Sequence, residues 1–211
     1  VTDEAFQKNN FTVLQTSTNG STWTARALPE WAGTFGLRSV VWDGGKFVAV
    51  GKDYVRSGGS GSWGPVIYTS ENLDASTWKR VYPSGSVDAS QVDLALNTVQ
   101  AGNGILLAGG ERGGLLRSIN GGSSWSSVDI SSSVPPSTHS VAGIAFGESL
   151  FVLVAYAIPN GDHRILTSPD GVNWANRSSG AALDTWKDLR KVAYLGNRFV
   201  AVSYTHLRAH E

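Results

Sequence analysis

Short apolar runs recur along this chain, and each follows a turn rich in glycine, asparagine or aspartate. Clear examples are residues 46–51, 105–110, 150–152 and 198–201. Continuous apolar runs of this length, bounded by turn signals, are typical of buried β-strands. The pattern therefore predicts an all-β protein in which helix is essentially absent.

A turn that ends in tryptophan occurs four times at nearly regular intervals. The tryptophans lie 55, 47 and 49 residues apart, and that spacing matches one four-stranded β-propeller blade of roughly 40–50 residues. Each copy begins with a serine, has an asparagine or aspartate two residues later, and closes on the tryptophan, which we expect to be mostly buried. The four copies contain Ser17, Asn19, Gly20 and Trp23; Ser70, Asn72 and Trp78; Ser118, Asn120, Gly122 and Trp125; and Ser168, Asp170, Gly171 and Trp174.

These patterns predict an all-β, partial (open) β-propeller with about three complete four-stranded blades and two partial blades. One domain should span 1–201, with complete blades at 37–81, 96–127 and 141–176 and partial blades at 11–23 and 189–201. A ring of that size cannot close, because closed propellers usually have about four to eight blades. We therefore expect the remaining blades of a longer parent chain to be partners of this domain.

The four turns resemble the Asp-box (BNR) repeat of sialidase-like β-propellers, whose pattern is Ser-x-Asp-x-Gly-x-Thr-Trp. The copy ending at Trp125 matches it position for position, with Asn120 in the Asp place, whereas the copy ending at Trp78 has an insertion and lacks the glycine. The resemblance implies that each box is the hairpin between the third and fourth strands of a blade. A side-chain oxygen that accepts backbone N–H bonds within the turn gives these residues a structural role.

The last ten residues, 202–211, do not continue the strand pattern. They resemble a translated sequencing adapter, so we expect a non-native tail and a fragment assembled from metagenomic DNA. The chain begins at Val1 and contains no methionine, in keeping with that expectation. We expect the parent to be an exported or extracellular bacterial protein.

Charge and composition exclude several classes of function. The chain has 17 Lys and Arg and 17 Asp and Glu, so its net charge is zero and no basic stripe is available for a nucleic acid. No apolar run approaches the roughly 18 residues of a membrane-spanning helix. With no cysteine and only four histidines, we expect no metal and no cofactor.

Candidate ligand-binding residues lie where a propeller usually binds its ligand, on the face opposite the boxes. Arg38 and Arg190 hold equivalent places just before an innermost strand. The resemblance to sialidases, which grip a substrate carboxylate with three arginines, makes this pair candidates for bidentate contact. The Phe-Arg-Ile-Pro motif of true sialidases is absent.

Two loops of the same face add further candidates. The loop 53–64 is the longest within a blade, and its Tyr54, Arg56 and Trp63 could stack on a sugar and hydrogen-bond to it; the alternative is a flexible Gly/Ser insertion. The loop 160–164 supplies Asp162, His163 and Arg164, although Asn-Gly-Asp is also an ordinary tight turn.

Three functions remain open. The favoured hypothesis is a non-catalytic Asp-box propeller that acts as an interaction or glycan-binding module, with a glycan or a protein as its ligand. The second is a fragment of a sialidase-like glycoside hydrolase, although no pair of carboxylates for that chemistry is recognisable by spacing. The third is an assembly factor of the photosystem-assembly type, which shares this repeat.

Overall fold

The computed structural model describes residues 14–26, 36–57, 60–72, 77–84, 94–157, 163–178 and 189–203. These residues form sixteen β-strands and, within the same ranges, no α-helix; a 3-10 turn occupies Glu111–Gly113. In this described part of the chain no helix is long and apolar enough to cross a membrane. The strands are β1 (Leu14–Thr16), β2 (Thr24–Arg26), β3 (Leu37–Trp42), β4 (Phe47–Ser57), β5 (Ser60–Ser70), β6 (Lys79–Tyr82), β7 (Leu96–Gly102), β8 (Ile105–Gly110), β9 (Leu115–Ser118), β10 (Ser126–Ser127), β11 (His139–Gly147), β12 (Leu150–Ala157), β13 (His163–Ser168), β14 (Ala175–Asn176), β15 (Leu189–Leu195) and β16 (Arg198–Ser203).

Five antiparallel sheets follow one another in chain order, and we number them as blades I to V. Blades II (β3–β6), III (β7–β10) and IV (β11–β14) each have four strands, whereas blade I (β1–β2) and blade V (β15–β16) have two. Each strand pairs with the next along the chain, as in a meander. The predicted all-β, open propeller with three complete and two partial blades is confirmed.

The second strands carry continuous buried apolar runs, such as 48–50 and 106–108, because both of their faces are covered by neighbouring blades there. In β4, Val48 and Val50 pack with Leu96 and Val99 of blade III. The intervening Ala49 points the other way and belongs to a cluster that includes Leu14 of blade I. Side chains alternate between the two faces of a strand. Each blade therefore packs one set of side chains against the preceding blade and the other set against the following blade.

Two glycines allow an aromatic ring of the following blade to approach the backbone closely. A Cβ added at Gly102 would lie 2.2 Å from the nearest atom of the Phe146 ring, and a Cβ at Gly147 would lie 2.2 Å from the nearest atom of the Tyr194 ring. Both aromatic residues therefore lean backwards, towards the blade that precedes their own in the chain.

The box tryptophans also pack backwards, and this explains the one that is not buried. Trp78 is only 2% exposed in the layer between blades I and II. Trp125 and Trp174 are half-buried against the layers between blades II and III and between III and IV. Trp23 is 58% exposed, so the expectation that all four are mostly buried is wrong for Trp23. The described residues contain no blade before blade I for its ring to cover.

The predicted long loop at 53–64 is instead the end of a regular hairpin. Strands β4 and β5 are both 11 residues long and stay paired from Phe47↔Ser70 to Ser57↔Ser60. Glycine and serine suggested an irregular insertion, but Gly61 lies opposite Arg56 and leaves room for the neighbouring Tyr54 ring. The small residues thus accommodate a bulky cross-strand neighbour within the sheet.

The last described strand extends past the predicted domain boundary at residue 201. Val202 pairs with Lys191 and Ser203 pairs with Leu189, so β16 matches the full length of β15. The expectation that residues 203–211 contribute no strand is therefore wrong for Ser203. Residues 204–211 of the predicted non-native tail lie outside the described residues.

Candidate ligand-binding face

The meander gives the propeller two faces with different chemistry. The first-to-second and third-to-fourth strand turns lie on one face, which we call the turn face. The second-to-third loops and the connections between blades lie on the other, the connector face. The Ser-x-Asx turns of blades II, III and IV lie on the turn face, because each one joins a third strand to a fourth strand; the corresponding turn of blade I joins β1 to β2.

The turn of blade IV shows how these residues hold the chain. Ser168 Oγ donates to Asp170 Oδ1 at 2.9 Å and accepts the backbone N–H of Gly171 at 2.8 Å. The same Oδ1 accepts the backbone N–H groups of Val172 and Asn173, both at 2.9 Å. These hydrogen bonds from Asn173 and Val172 hold the pKa of the Asp170 carboxyl well below its usual range. All of its partners lie within five residues, so the aspartate acts as a structural cap of the turn.

Blades I and III repeat this geometry with asparagine. Asn19 Oδ1 accepts the N–H groups of Ser21 and Thr22, and Asn120 Oδ1 accepts that of Ser124. In both turns the indole N–H donates back to a glycine carbonyl oxygen, from Trp23 to Gly20 at 3.1 Å and from Trp125 to Gly122 at 3.0 Å. Gly20, Gly122 and Gly171 all have positive φ, which glycine adopts without steric cost.

The turn of blade II departs from the others, as its sequence predicted. Ser70 Oγ contacts Thr77 Oγ1 and the carbonyl oxygen of Asn72. Thr77 Oγ1 in turn donates to Asn72 Oδ1 at 2.7 Å. A threonine hydroxyl thus lies where backbone N–H groups lie in the other three turns.

A pocket of about 220 Å³ opens on the connector face between blades II and III. Pro65 and Tyr82 of blade II form one side, and the 3-10 turn with the chain after β10 forms the other. Most of its wall is apolar, and the carboxylates of Glu111 and Asp129 are its charged groups among the described residues. The apolar lining includes Leu96, Leu115, Val128, Ile130, Val134 and Pro136.

Arg38 lies beside this pocket and is held by the neighbouring blade. Its Nη1 donates to Asn97 Oδ1 at 2.6 Å and to Glu111 Oε1 at 3.3 Å, and Asn97 Nδ2 donates onward to the carbonyl oxygen of Val141. The ion pair is partly exposed, and such pairs contribute at most about 1 kcal/mol. The arrangement is a polar chain that links three successive blades at the innermost strands.

Arg190 has a different environment. Its guanidinium carbon lies 3.9 Å from the centre of the Tyr156 ring in blade IV, which is a cation–π contact. Arg38 contacts the following blade, whereas Arg190 contacts the preceding one. The described contacts of the two arginines therefore do not converge on a common point, and their role in ligand binding stays a prediction.

The hairpin residues are brought together at its tip. Tyr54 and Trp63 are cross-strand partners with ring centroids 5.3 Å apart in an edge-to-face arrangement. Arg56 pairs through its backbone with Gly61. Below the tip, the buried Asp53 accepts the Tyr68 hydroxyl at 2.8 Å, and burial together with Asp53 raises the pKa of Tyr68 well above its usual value. The aromatic pair is part of the hairpin's own packing.

The second predicted loop is strand at its end. His163 and Arg164 belong to β13 and pair with Tyr156 and Ala155, which corrects their assignment to a loop. Arg164 Nε donates to the carbonyl oxygen of Ser133 at 3.2 Å and so ties β13 to the preceding connection. Asp162 lies outside the described residues.

Sequence reasoning did not single out the residues that line the pocket. No motif in the sequence marks Glu111 or Asp129. Arg112 has a positive φ of 51°, which is uncommon for a residue other than glycine, but no sequence pattern signalled it. The pocket arises from the juxtaposition of Pro65 with the chain near Ile130, which a single repeat does not encode.

Comparison with known proteins supports the fold at this point. No protein-family model matches the chain, and no curated protein matches it. The solved structure of YCF48 bound to D1 peptide is similar with a TM-score of 0.53 and 17% identity, covering 87% of this chain and 51% of that chain. The computationally designed Ika4 protein is similar with a TM-score of 0.51 and 12% identity, covering 84% and 89%. YjhT is similar with a TM-score of 0.51 and 13% identity, covering 83% and 60%. The chain thus spans about half the length of the YCF48 structure, and by its fold it is an open β-propeller.

Proposed function

We propose that this chain is a non-catalytic binding module of the Asp-box type that takes a polypeptide ligand on its connector face. The pocket between blades II and III is the observation that carries the proposal. Its volume of about 220 Å³ is below the roughly 300–1,000 Å³ of pockets for drug-sized ligands. A space of that size suits one apolar side chain of an extended peptide.

The Asp-box assignment rests on the shared hydrogen bonds of the turns. Ser118 and Ser168 each donate to the asparagine or aspartate two residues later. That side chain then accepts backbone N–H groups of the residues before the tryptophan. This is the chemistry that the Ser-x-Asp-x-Gly-x-Thr-Trp pattern needs.

The carboxylates of the described residues support a role without catalysis. A glycosidase of the usual kind needs two carboxyl groups placed on either side of the scissile bond. Of the seven described carboxylates, six accept hydrogen bonds within the fold and so serve its structure. They are Asp43, Asp53, Glu111, Asp129, Glu148 and Asp170.

The composition of the pocket favours a polypeptide over a sugar. Sugars are bound by flat aromatic faces and many hydrogen-bonding groups, whereas most of this wall is aliphatic. The fold is compatible with a peptide ligand, because the similar YCF48 structure is described as bound to a peptide. A glycan remains the second candidate on account of Tyr54 and Trp63, which lie together at the hairpin tip.

A displayed peptide library selected against the immobilised chain tests the proposal. Ser131 lines the pocket, whereas the neighbouring Ser132 is exposed and does not line it. We expect Ser131→Trp to fill the pocket and weaken binding of the selected peptides at least tenfold, while Ser132→Trp leaves it unchanged.

Two parallel assays separate the alternatives. A glycan array tests the sugar alternative. If Trp63→Ala abolishes glycan binding and Ser131→Trp leaves it unchanged, the ligand-binding site lies at the hairpin tip. Turnover of a fluorogenic aryl sialoside that is lost in Arg38→Ala or Arg190→Ala would replace the proposal with the hydrolase alternative. We expect no turnover.

A further inference from the structure

The two partial blades contain complementary pairs of strands. Blade I consists of a third and a fourth strand, because its Ser-x-Asx turn lies between β1 and β2. Blade V consists of a first and a second strand, because β15 and β16 match the opening hairpins of the complete blades in register and bulge. Within the described residues the two halves form separate two-stranded sheets.

Each half therefore has an open edge where the other half would pair. No described strand pairs with the second edge of β16 or of β1. Unpaired strand edges are templates for pairing with another chain. In a complete blade β16 would pair with a third strand. Strand β1 is itself a third strand and would pair with a second strand.

The complete blades specify the register that such pairing would take. On the second strand, the residues that face Trp42, Ala101 and Phe146 of the first strand also face the serine of the Ser-x-Asx turn, in the pairs Phe47↔Ser70, Leu106↔Ser118 and Phe151↔Ser168. Phe199 faces Tyr194 in the same way. The equivalent residues of the partial blades are Phe199 and Ser17. Their pairing would set Val200 opposite Thr16 and Val202 opposite Leu14.

The surfaces beside these edges are apolar and exposed. On the side of blades I and II, Trp23, Val40 and Trp42 are about half exposed. On the outer face of blade V, Leu195, Val200 and Val202 are exposed to a similar or greater extent. In the interior of the array the residues equivalent to Val40, Val200 and Val202 are buried between blades, so the two ends carry apolar surfaces of the kind that cover one another.

We propose that two copies of this chain associate head to tail and complete two composite blades. In each, β15 and β16 of one copy pair with β1 and β2 of the other. Each copy supplies three complete blades, and the pair shares the two composite blades. The dimer is then a closed ring of eight blades, at the upper end of the roughly four-to-eight-blade range of propellers. The contact joins two different surfaces, and such contacts form rings where the rotation closes.

The chain contains no cysteine, so a designed disulfide tests the register directly. Residues directly opposite in an antiparallel pair lie about 4.5–5.5 Å apart at Cα, within the range that a disulfide bridges. We expect the Thr16→Cys/Val200→Cys variant to oxidise into a covalent dimer. The Thr16→Cys/Leu195→Cys variant, whose second cysteine lies on β15 and is separated from β1 by β16 in the composite blade, should remain a monomer under denaturing, non-reducing conditions.

Light scattering after size exclusion measures the association without crosslinks. We expect a species of twice the 22.4 kDa chain mass. Val200→Glu/Val202→Glu should convert it to a monomer. Val172→Glu, at an equally exposed valine of the turn face, should leave the dimer unchanged.

Three results would overturn the proposal. A monomer at all accessible concentrations would assign the open ends to further blades or to another protein. A disulfide within a single chain would show that the propeller closes on itself. Polymers without a defined size would show that the rotation does not close.

Discussion

The ring of Tyr194 lies against the backbone of Gly147 in the preceding blade, in a space that a single added carbon atom would occupy. Phe146 and Gly102 repeat this relationship one blade earlier. Close packing of a ring on a glycine is thus a recurring contact between blades. The position is glycine because any larger residue would clash with the ring of the neighbouring blade.

The first prediction concerns this contact. Gly147→Ala should destabilise the chain by roughly 1–3 kcal/mol, because the new methyl group forces the Tyr194 ring away from its position. Gly45→Ala is the matched control, since a Cβ there meets no atom closer than 3.8 Å. Urea unfolding curves measure both, and equal midpoints for the two variants would contradict the packing.

The second prediction compares two apolar residues of one turn. Trp125 packs against the layer between blades II and III, whereas Ile119 is 67% exposed. Trp125→Ala should cost about 3 kcal/mol, near the lower end for loss of a core aromatic residue because the ring is only half-buried. Ile119→Ala should stay within about 0.5 kcal/mol of the parent chain. Thermal melts followed by circular dichroism distinguish the two.

The third prediction is a pH dependence that belongs to Asp170. Its pKa is lowered in the folded chain by hydrogen bonds from Asn173 and Val172. The stabilisation is therefore fully present above the ordinary aspartate pKa of about 3.9 and is lost as the pH falls below that value. Asp170→Asn should keep the backbone hydrogen bonds, as Asn120 does, and flatten the acid limb of the stability curve. An unchanged acid limb would show that other groups control it.

The fourth prediction concerns the buried pair of Asp53 and Tyr68. Tyr68→Phe removes a 2.8 Å hydrogen bond to a carboxylate in the core, and the loss should cost roughly 1–3 kcal/mol. Tyr194→Phe removes a similar bond to Glu148 that water reaches, so its effect should be smaller.

The same pair predicts behaviour in alkali. Since the folded chain raises the pKa of Tyr68, its contribution is complete below the ordinary tyrosine pKa of about 10 and is lost as the pH rises through the folded value. Ultraviolet titration of the phenolates should show that the tyrosine that ionises last in the parent chain is missing in Tyr68→Phe. A Tyr68→Phe variant with an unchanged titration curve would contradict this assignment.

The sequence was informative where the structure is local. The Ser-x-Asx turns of blades I, III and IV are closed by hydrogen bonds between residues at most four positions apart, so their pattern is complete within a few residues. The apolar runs of the central strands likewise report burial on both faces. These two signals were sufficient to predict the blades and their order.

Features that depend on distant residues could not be predicted. Arg38 meets Asn97 and Glu111, which follow it by 59 and 73 positions. Trp23 has the same turn as Trp125, and its exposure depends on a neighbouring blade rather than on its own repeat. The sequence of residues 53–64 predicted a loop because glycine and serine are common both in loops and in closely paired strands.

The backward lean of Trp78, Trp125, Phe146 and Tyr194 gives the array a direction. At these junctions the later blade contributes an aromatic ring, and the preceding blade provides the surface that the ring packs against. Duplication or loss of an interior blade would leave each remaining junction of the same kind, so the array can change length without a new type of core. The two ends of the array differ from the interior, because a blade added at either end must present the face that packs against the exposed face of the existing end blade.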